Sequence, residues 1–126
     1  VIMSRDCVDI YNQKTIRSTM GSIYRMPFYY AEDILKAIRK IKDAGIKVYA
    51  AHLDGEKSYD EEDYAFSCAF LIGNEGNGLR EETSKMADHY IIIPMSGEVE
   101  SLNAAIAASV LMFEVKRQRR NTEKNS

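Results

Sequence analysis

The sequence predicts an α/β domain with a mostly parallel sheet flanked by helices. Apolar segments of strand length alternate along the chain with segments of helical period, which is typical of this class. Two predicted strands, residues 65–72 and 90–93, end in polar loops that contain glycine, and each loop leads into a helix. If these strands lie side by side and parallel, both loops meet at one edge of the sheet, where open α/β folds bind ligands. We therefore expect the functional site at that edge.

The beginning of the chain predicts a strand, a helix and a short aromatic segment. Residues 1–3 are apolar and are expected to end a strand. Apolar residues recur at helical spacing over residues 14–24, so a helix is expected there, with Gly21 inside it and Pro27 after it. Residues 28–30 are all aromatic, which suits either a short strand or a packed loop.

The middle of the chain contains the clearest predicted helix. Over residues 32–44, isoleucine and leucine side chains line one face and basic side chains the other, and Gly45 is a common helix terminator. Residues 46–53 are expected to form the next strand. Residues 54–63 are polar and acidic, a composition that is typical of a solvated surface loop.

Two helices are expected after the two polar loops. The first is short, over residues 80–86, and the second is long, over residues 101–118, with Ser101 as a candidate cap. Residues 102–113 are apolar on nearly every side of the long helix, which predicts burial all round. Because one small domain can rarely bury such a helix completely, we expect a homodimer built on this C-terminal helix.

The loop GNEGNG at residues 73–78 does not match the common phosphate-binding loops. It has neither the GxxxxGK[ST] spacing nor the GxGxxG order, and no lysine follows it, so binding of a nucleoside triphosphate or a dinucleotide is not expected. Glycine can adopt positive φ and lets the backbone approach a flat, uncharged ligand closely. A plain turn and a ligand-binding loop both explain this segment.

Two motifs resemble those of a known enzyme family. GNEGNGL at residues 73–79 and IPMSGEVESLNAA at residues 93–105 are similar, in order and separation, to the second and third motifs of the SpoU/TrmH-type RNA 2′-O-ribose methyltransferases. The resemblance extends more loosely over residues 1–116. It implies a SPOUT-superfamily fold with a C-terminal trefoil knot. It also implies methyl transfer from S-adenosylmethionine to a ribose 2′-hydroxyl of structured RNA, either rRNA or tRNA.

The resemblance also implies the roles of individual residues. Glu75, Ser101 and Asn103 would form the catalytic set, with Glu75 positioning the active site rather than transferring protons. Backbone and apolar groups would hold the cofactor, at Gly73, Asn74, Gly76, Ile93, Met95, Gly97 and Leu102. Helix capping explains Ser101 equally well. Asn103 is expected inside the helix, where asparagine is a poor choice without a partner, so a functional role is favoured for it.

The first motif of this family has no match in residues 1–126. That motif is an Asn-x-Gly segment that leads to the arginine assigned to catalysis, whereas Asn12 and Arg17 lack the glycine and follow a strand that the family places later. We therefore expect a preceding strand and helix in a longer protein, without which this chain need not be active. The methyltransferase domain is expected over residues 1–118, followed by a basic and polar tail over 119–126.

Charge and composition restrict the partners. With a net charge of -2, the chain is not expected to coat nucleic acid nonspecifically, so contact with RNA must use local basic patches. Lys14, Arg17, Arg25 and the C-terminal basic residues are candidates for phosphate contacts, although solvated helix faces explain them almost as well.

No metal site or membrane segment is expected. Cys7 and Cys68 have no metal-ligand spacing, and His52 and His89 are isolated in the sequence. No apolar run approaches the roughly 18 residues of a membrane span, and the unpaired cysteines fit a cytoplasmic protein. The alternative to an RNA methyltransferase is a noncatalytic SPOUT-fold module for dimerisation or RNA binding.

Overall fold

The computed structural model describes residues 1–74, 76–96 and 102–125. The chain divides into two compact units, Val1–Ala37 and Ile38–Ser126. In chain order the elements are β1 Ile2–Ser4, α1 Gln13–Ser18, β2 Tyr29–Ala31, α2 Ile34–Asp43, β3 Lys47–Ala51, β4 Lys57–Ser58, β5 Cys68–Leu71, α3 Glu81–Ser84, β6 His89–Ile92 and α4 Ala104–Asn125. Within the described part of the chain, no helix is both long and apolar enough to cross a membrane.

The first unit is built on a two-stranded parallel sheet. β1 pairs with β2, with Ile2 opposite Tyr29 and Ser4 opposite Ala31. The Tyr30 hydroxyl accepts a hydrogen bond from the Ile10 N–H and donates one to the Val8 carbonyl, each 3.0 Å long. These bonds fix the connector after β1 to the strand β2. The aromatic segment is therefore a strand, one of the two alternatives that its composition allowed.

The helix expected over residues 14–24 is interrupted. α1 ends at Ser18, Met20 and Gly21 have φ values of 48° and 87°, and a 3-10 turn follows at Ser22–Tyr24. The prediction of one continuous helix was wrong because helical spacing of apolar residues continues across a turn that reverses the backbone. Glycine adopts positive φ at little cost, so Gly21 permits this turn.

The second unit contains the main sheet, and the predicted parallel α/β architecture is confirmed. Its four strands lie in the order β4-β6-β3-β5, and all of their pairings are parallel. β3 is central, and Val48, Tyr49 and Ala50 on it are buried. β5 and β6 were expected side by side, but β3 lies between them. Long connections between parallel strands allow any strand order, so adjacency could not be derived from succession along the chain.

Aromatic side chains form the centre of the core. Tyr49, Tyr64, Ile91 and Leu111 pack together, and the Tyr49 and Tyr64 rings meet edge to face with centroids 5.1 Å apart. Both hydroxyls donate to carbonyl oxygens of the segment before Tyr64, at Asp63 and Tyr59. Burial raises the pKa of Tyr49 to about 12 and also raises that of Tyr64. Both side chains are therefore neutral structural groups at neutral pH.

Residues 54–63 lie at the surface, as expected, but they form regular structure where a loop was predicted. β4 pairs with β6, and a 3-10 turn follows at Tyr59–Glu61. The Glu61 carboxylate accepts from the Ser58 N–H at 2.7 Å, which completes a capping box. A Cβ on Gly55 would lie 2.7 Å from the Ile91 carbonyl carbon, so this segment packs tightly on β6. A two-residue strand of polar residues has no periodicity from which it could be predicted.

α4 differs from its prediction in extent and in burial. It begins at Ala104 rather than residue 101 and continues to Asn125 rather than ending near 118. Ala107, Leu111 and Glu114 are buried, whereas Ile106, Met112 and Phe113 are 53%, 61% and 76% exposed. In a single copy of the chain, α4 is therefore buried on one face only. The prediction that it is buried on all sides does not hold for the single chain.

Polar contacts attach α4 to the segment that precedes β5. The Gln118 amide accepts from the Tyr64 N–H and donates to the Glu62 carbonyl, and Arg119 donates to the Phe66 carbonyl. Glu114 is buried at the same place and receives hydrogen bonds from Arg117 and Gln118. The hydrogen bonds from Arg117 lower the pKa of Glu114, although burial opposes that effect. The carboxylate is therefore charged and satisfied at neutral pH.

Candidate functional site

Three parallel strands end at one edge of the main sheet. β5 ends at Leu71, β3 at Ala51 and β6 at Ile92. Neighbouring strands are separated by roughly 4.8 Å, so the ends of β5 and β6 lie about 10 Å apart with β3 between them. The two loops singled out in the sequence therefore leave the same edge, as expected.

The loop after β5 closes on itself. The Gly78 N–H donates to the Asn74 carbonyl at 3.0 Å, and the Asn77 N–H donates to the Asn74 side-chain oxygen at 2.7 Å. A Cβ on Gly73 would lie 2.2 Å from the Gly78 carbonyl carbon. The loop's own backbone thus requires glycine at position 73, and the cofactor contact predicted for Gly73 stays a prediction. Gly78, with φ of 63°, is the glycine here that uses positive φ.

Gly76 and Gly78 are both exposed, and Gly76 was the one predicted to contact the cofactor. A Cβ on Gly76 would meet only the Asn74 side-chain oxygen, at 3.7 Å. The backbone around position 76 can therefore approach a flat ligand closely, as expected for a cofactor loop. Asn74 was predicted as a cofactor contact, and its side-chain oxygen is used to hold the turn. Glu75 lies outside the described residues.

The loop after β6 offers apolar groups. The Ile93 side chain is half-buried and packs against the core cluster around Tyr49. Met95 is 37% exposed, and Leu102 is half-buried immediately before α4. Gly97 and Ser101, also predicted as site residues, lie outside the described part of the chain. The described parts of both motifs thus place partly exposed apolar side chains, Met95 and Leu102, and an exposed glycine, Gly76, in the loops predicted to hold the cofactor.

Asn103 caps α4. Its side-chain oxygen accepts hydrogen bonds from the Ala105 and Ile106 N–H groups, at 2.9 and 3.4 Å. The prediction that Asn103 lies inside the helix was wrong, because the helix begins one residue later. Since the first backbone N–H groups of a helix have no partner within it, an asparagine directly before the helix satisfies two of them. We had expected capping to be the less suitable role for Asn103, but these two hydrogen bonds show that Asn103 caps the helix.

His52 lies between the two loops and was not among the predicted site residues. It follows β3, its backbone N–H donates to the Ile91 carbonyl, and its ring stacks on Tyr90 with centroids 4.6 Å apart. The Asp54 N–H donates to Nδ1 at 3.2 Å. In a neutral ring this leaves the proton on Nε2. His52 was correctly interpreted as a strand-end residue, but its position in the middle of the edge depends on the strand order.

An acidic groove of about 330 Å³ lies beside β4 and the start of β6. Its lining includes four carboxylates, Asp54, Glu56, Glu62 and Asp88, together with Lys57 and His89. Burial would raise the pKa of Asp88, but hydrogen bonds from the Val48 N–H and from Lys42 outweigh it and lower the pKa. A groove lined by charged carboxylates repels RNA phosphates. Within the described ranges, no group of three or more His, Cys, Asp or Glu side chains has a geometry that could hold a metal ion.

Comparison with known proteins places this geometry in a family context. Residues 1–113 match the sequence profile of the SpoU rRNA Methylase family. An uncharacterized tRNA/rRNA methyltransferase of Mycolicibacterium vanbaalenii is 36% identical over 105 residues, which is 83% of this chain and 33% of the relative. The chain thus spans about a third of the length of that curated relative.

Solved structures share the fold. The SpoU methyltransferase AviRb from Streptomyces viridochromogenes, in complex with the cofactor AdoMet, is 30% identical with a TM-score of 0.83; the match covers 94% of this chain and 46% of that chain. A structure described as an RNA 2′-O ribose methyltransferase is 28% identical with a TM-score of 0.83, over 94% and 45% of the two chains. The fold of this chain is therefore that of known methyltransferases.

Proposed function

The chain belongs to the SpoU rRNA methylase family, and on that premise we propose that it transfers a methyl group from S-adenosylmethionine to a ribose 2′-hydroxyl of structured RNA. The observation that carries the proposal is the position of both family motifs at one edge of a parallel sheet, after β5 and after β6. Structures of this family have been solved with AdoMet bound. Relatives named as tRNA/rRNA methyltransferases support RNA as the substrate class.

The described residues fit such a cofactor. Met95 and Leu102 supply partly exposed apolar side chains, and the exposed backbone of Gly76 supplies hydrogen-bonding groups. When bound, S-adenosylmethionine supplies a methyl carbon activated by its attachment to a sulfonium sulfur.

A ribose 2′-hydroxyl is a weak nucleophile at neutral pH, so a group near it must accept or stabilise its proton. We propose that the arginine of the family's first motif, from a segment outside residues 1–126, stabilises the developing 2′-oxyanion, because its guanidinium stays protonated at neutral pH. The proton passes to solvent, and the 2′-oxygen bonds to the methyl carbon as the bond from that carbon to sulfur breaks. Glu75 and Ser101 would position that arginine and the ribose. Asn103 would act indirectly, by capping α4 and so fixing the position of its N-terminal end, which carries a partial positive charge.

Transfer of tritium from S-adenosyl-[methyl-³H]methionine to RNA tests this proposal. The labelled RNA is then digested in alkali, because a methylated 2′-oxygen cannot attack the neighbouring phosphate and the linkage survives. We expect label in alkali-resistant dinucleotides. Label in alkali-sensitive mononucleotides would show base methylation and contradict 2′-O transfer. RNA binding without any transfer by the protein extended to include the first motif would favour the noncatalytic module.

The proposal includes a homodimer that covers the exposed face of α4, and the C-terminal trefoil knot that the family resemblance implies. Ile106, Val110 and Phe113 line a groove of about 740 Å³ on this helix, and Lys116 and Arg120 lie at its side. Exposed apolar faces of this kind mark protein contacts. Sedimentation at micromolar concentration should give a dimer for the parent and a monomer for Phe113→Glu, with Phe66→Glu as the exposed control. A monomeric parent would contradict the dimer.

A further inference from the structure

We propose that residues 11–31 form a surface that binds an unpaired segment of the RNA substrate by stacking its bases. This inference rests on the proposed function, because it names the kind of RNA structure that the enzyme engages. It concerns only the first unit of the chain, Val1–Ala37. Below, this surface is called the aromatic-basic surface.

The aromatic-basic surface differs from the rest of the chain in charge. Residues 11–31 contain three basic residues, Lys14, Arg17 and Arg25, and no acidic residue, although the chain as a whole has a net charge of -2. All three side chains are exposed, and none of them forms an ion pair with another described residue. Positive charge is therefore concentrated here and available to phosphates.

The same surface exposes aromatic and methionine side chains to an unusual degree. Met20, Tyr24 and Tyr29 are 93%, 84% and 61% exposed. Tyr11 and Phe28 meet edge to face at 6.3 Å, whereas neither Tyr24 nor Tyr29 has a ring partner among the described residues. Flat side chains with free faces beside basic groups are what proteins use to stack unpaired bases.

Local backbone geometry holds the central part of this surface in place. Successive hydrogen bonds of 2.9 to 3.3 Å link Met20 to Arg17, Tyr24 to Gly21, and Arg25 to Ser22. Met20 has φ of 48°, which is uncommon for a residue with a side chain. The turn therefore presents an apolar side chain to solvent in a backbone conformation that folding alone does not favour. Such outliers support a functional role when other observations point to one.

Charge selects RNA over a second copy of the chain as the occupant. In a two-fold symmetric contact the same surface would meet itself and bring three positive charges against three others. Duplex RNA is also a poorer match, because its bases are stacked on each other and cannot reach a tyrosine ring. An unpaired, negatively charged RNA segment satisfies both the rings and the basic groups.

Fluorescence anisotropy with three 12-nucleotide probes tests the inference on the folded 126-residue chain. The probes are single-stranded oligoadenylate RNA, the same RNA annealed to its complement, and an abasic ribose-phosphate chain. The variants are Tyr24→Ala and Arg25→Gln, with Phe66→Ala and Arg39→Gln as exposed controls outside the surface. Because Tyr24 and Arg25 are exposed, both variants should melt at the parental temperature, which is measured in parallel.

We expect the single strand to bind more tightly than the duplex. Tyr24→Ala should weaken single-strand binding about fivefold or more, as loss of one base-aromatic stack does, and leave abasic binding unchanged. Arg25→Gln should weaken binding of both the single-stranded RNA and the abasic chain. It should also reduce the slope of the logarithm of the binding constant against the logarithm of the salt concentration by about 0.7. The two controls should bind like the parent.

The outcomes separate this inference from the proposed function. If both surface variants bind oligoadenylate as the parent does while the protein extended to include the first motif methylates RNA, the inference is wrong and the proposed function stands. If binding depends on Tyr24 but the protein extended to include the first motif transfers no methyl group, the RNA surface stands and the enzymatic proposal fails. If the variants change only the sedimentation coefficient, the surface is a protein contact and the inference is overturned.

Discussion

Replacement of Asn103 by alanine should destabilise the fold by removing the cap of α4. The side-chain oxygen of Asn103 accepts from two backbone N–H groups at the start of a 22-residue helix. Loss of such a cap costs about 1 kcal/mol, and Asn103 precedes the helix, so alanine gains no interior helix propensity in compensation. For a chain of this size, that corresponds to a fall in Tm of about 3–5 °C.

Asn103→Asp is the matched control, because aspartate keeps the acceptor oxygen and removes the amide N–H₂ group. A carboxylate near the start of a helix adds roughly 0.3–1 kcal/mol of stability, so this variant should melt no lower than the parent. Circular dichroism at 222 nm measures both. If Asn103→Asp melts as low as Asn103→Ala, the cap does not explain the role of this residue in folding.

The same pair of variants separates capping from catalysis. If the residue acts only as a cap, Asn103→Asp should transfer methyl groups at about the parental rate. If the amide N–H₂ group instead positions the ribose or the arginine, both variants should lose on the order of a hundredfold in rate. Rates are measured well below the lower Tm, so that unfolding does not contribute.

The remaining predictions concern the first loop, the buried carboxylate and the cofactor surface. Gly73→Ala should lower the free energy of unfolding by about 2 kcal/mol or more, because the new Cβ would lie 2.2 Å from backbone atoms. Gly76→Ala should melt near the parental temperature, since its Cβ would meet no atom closer than 3.7 Å. Equal melting temperatures for the two variants would contradict this. Arg117 lowers the pKa of Glu114 below its ordinary value of 4.5. The ionised Glu114 carboxylate therefore stabilises the fold above pH 4.5, and this stabilisation is lost as the pH falls through the lower pKa of the folded state. Glu114→Gln should flatten the acid side of a curve of unfolding free energy against pH. Leu102→Glu should weaken S-adenosylmethionine binding in calorimetry about tenfold or more, and unchanged affinity would remove Leu102 from the site.

Periodicity predicted three of the four strands of the main sheet, because β3, β5 and β6 are apolar and bounded by glycine or polar residues, whereas the polar strand β4 was missed. It predicted helix limits less well. Ser101 and Asn103 are both good caps, so residue type alone could not decide which one begins α4. Periodicity also failed at Met20 and Gly21, where apolar spacing continued through a turn of the backbone.

Strand order and burial depend on long-range packing that no local pattern contains. His52 was passed over because its place between the two loops follows only from β3 lying between β5 and β6. Glu114 was not predicted to be buried, since a carboxylate on a helix is ordinarily exposed unless it finds partners such as Arg117. The glycine loop was located correctly, but the reason for Gly73 is contact with its own loop.

Hydrogen-deuterium exchange with and without S-adenosylhomocysteine tests the central claim most directly, namely that the edge beyond β5 and β6 holds the cofactor. The amides of residues 73–79 and 93–103 should exchange more slowly when the ligand is present, and those of the acidic groove beside β4 should not change. Protection confined to that groove, or protection by NADH in place of S-adenosylhomocysteine, would contradict the assignment of this edge.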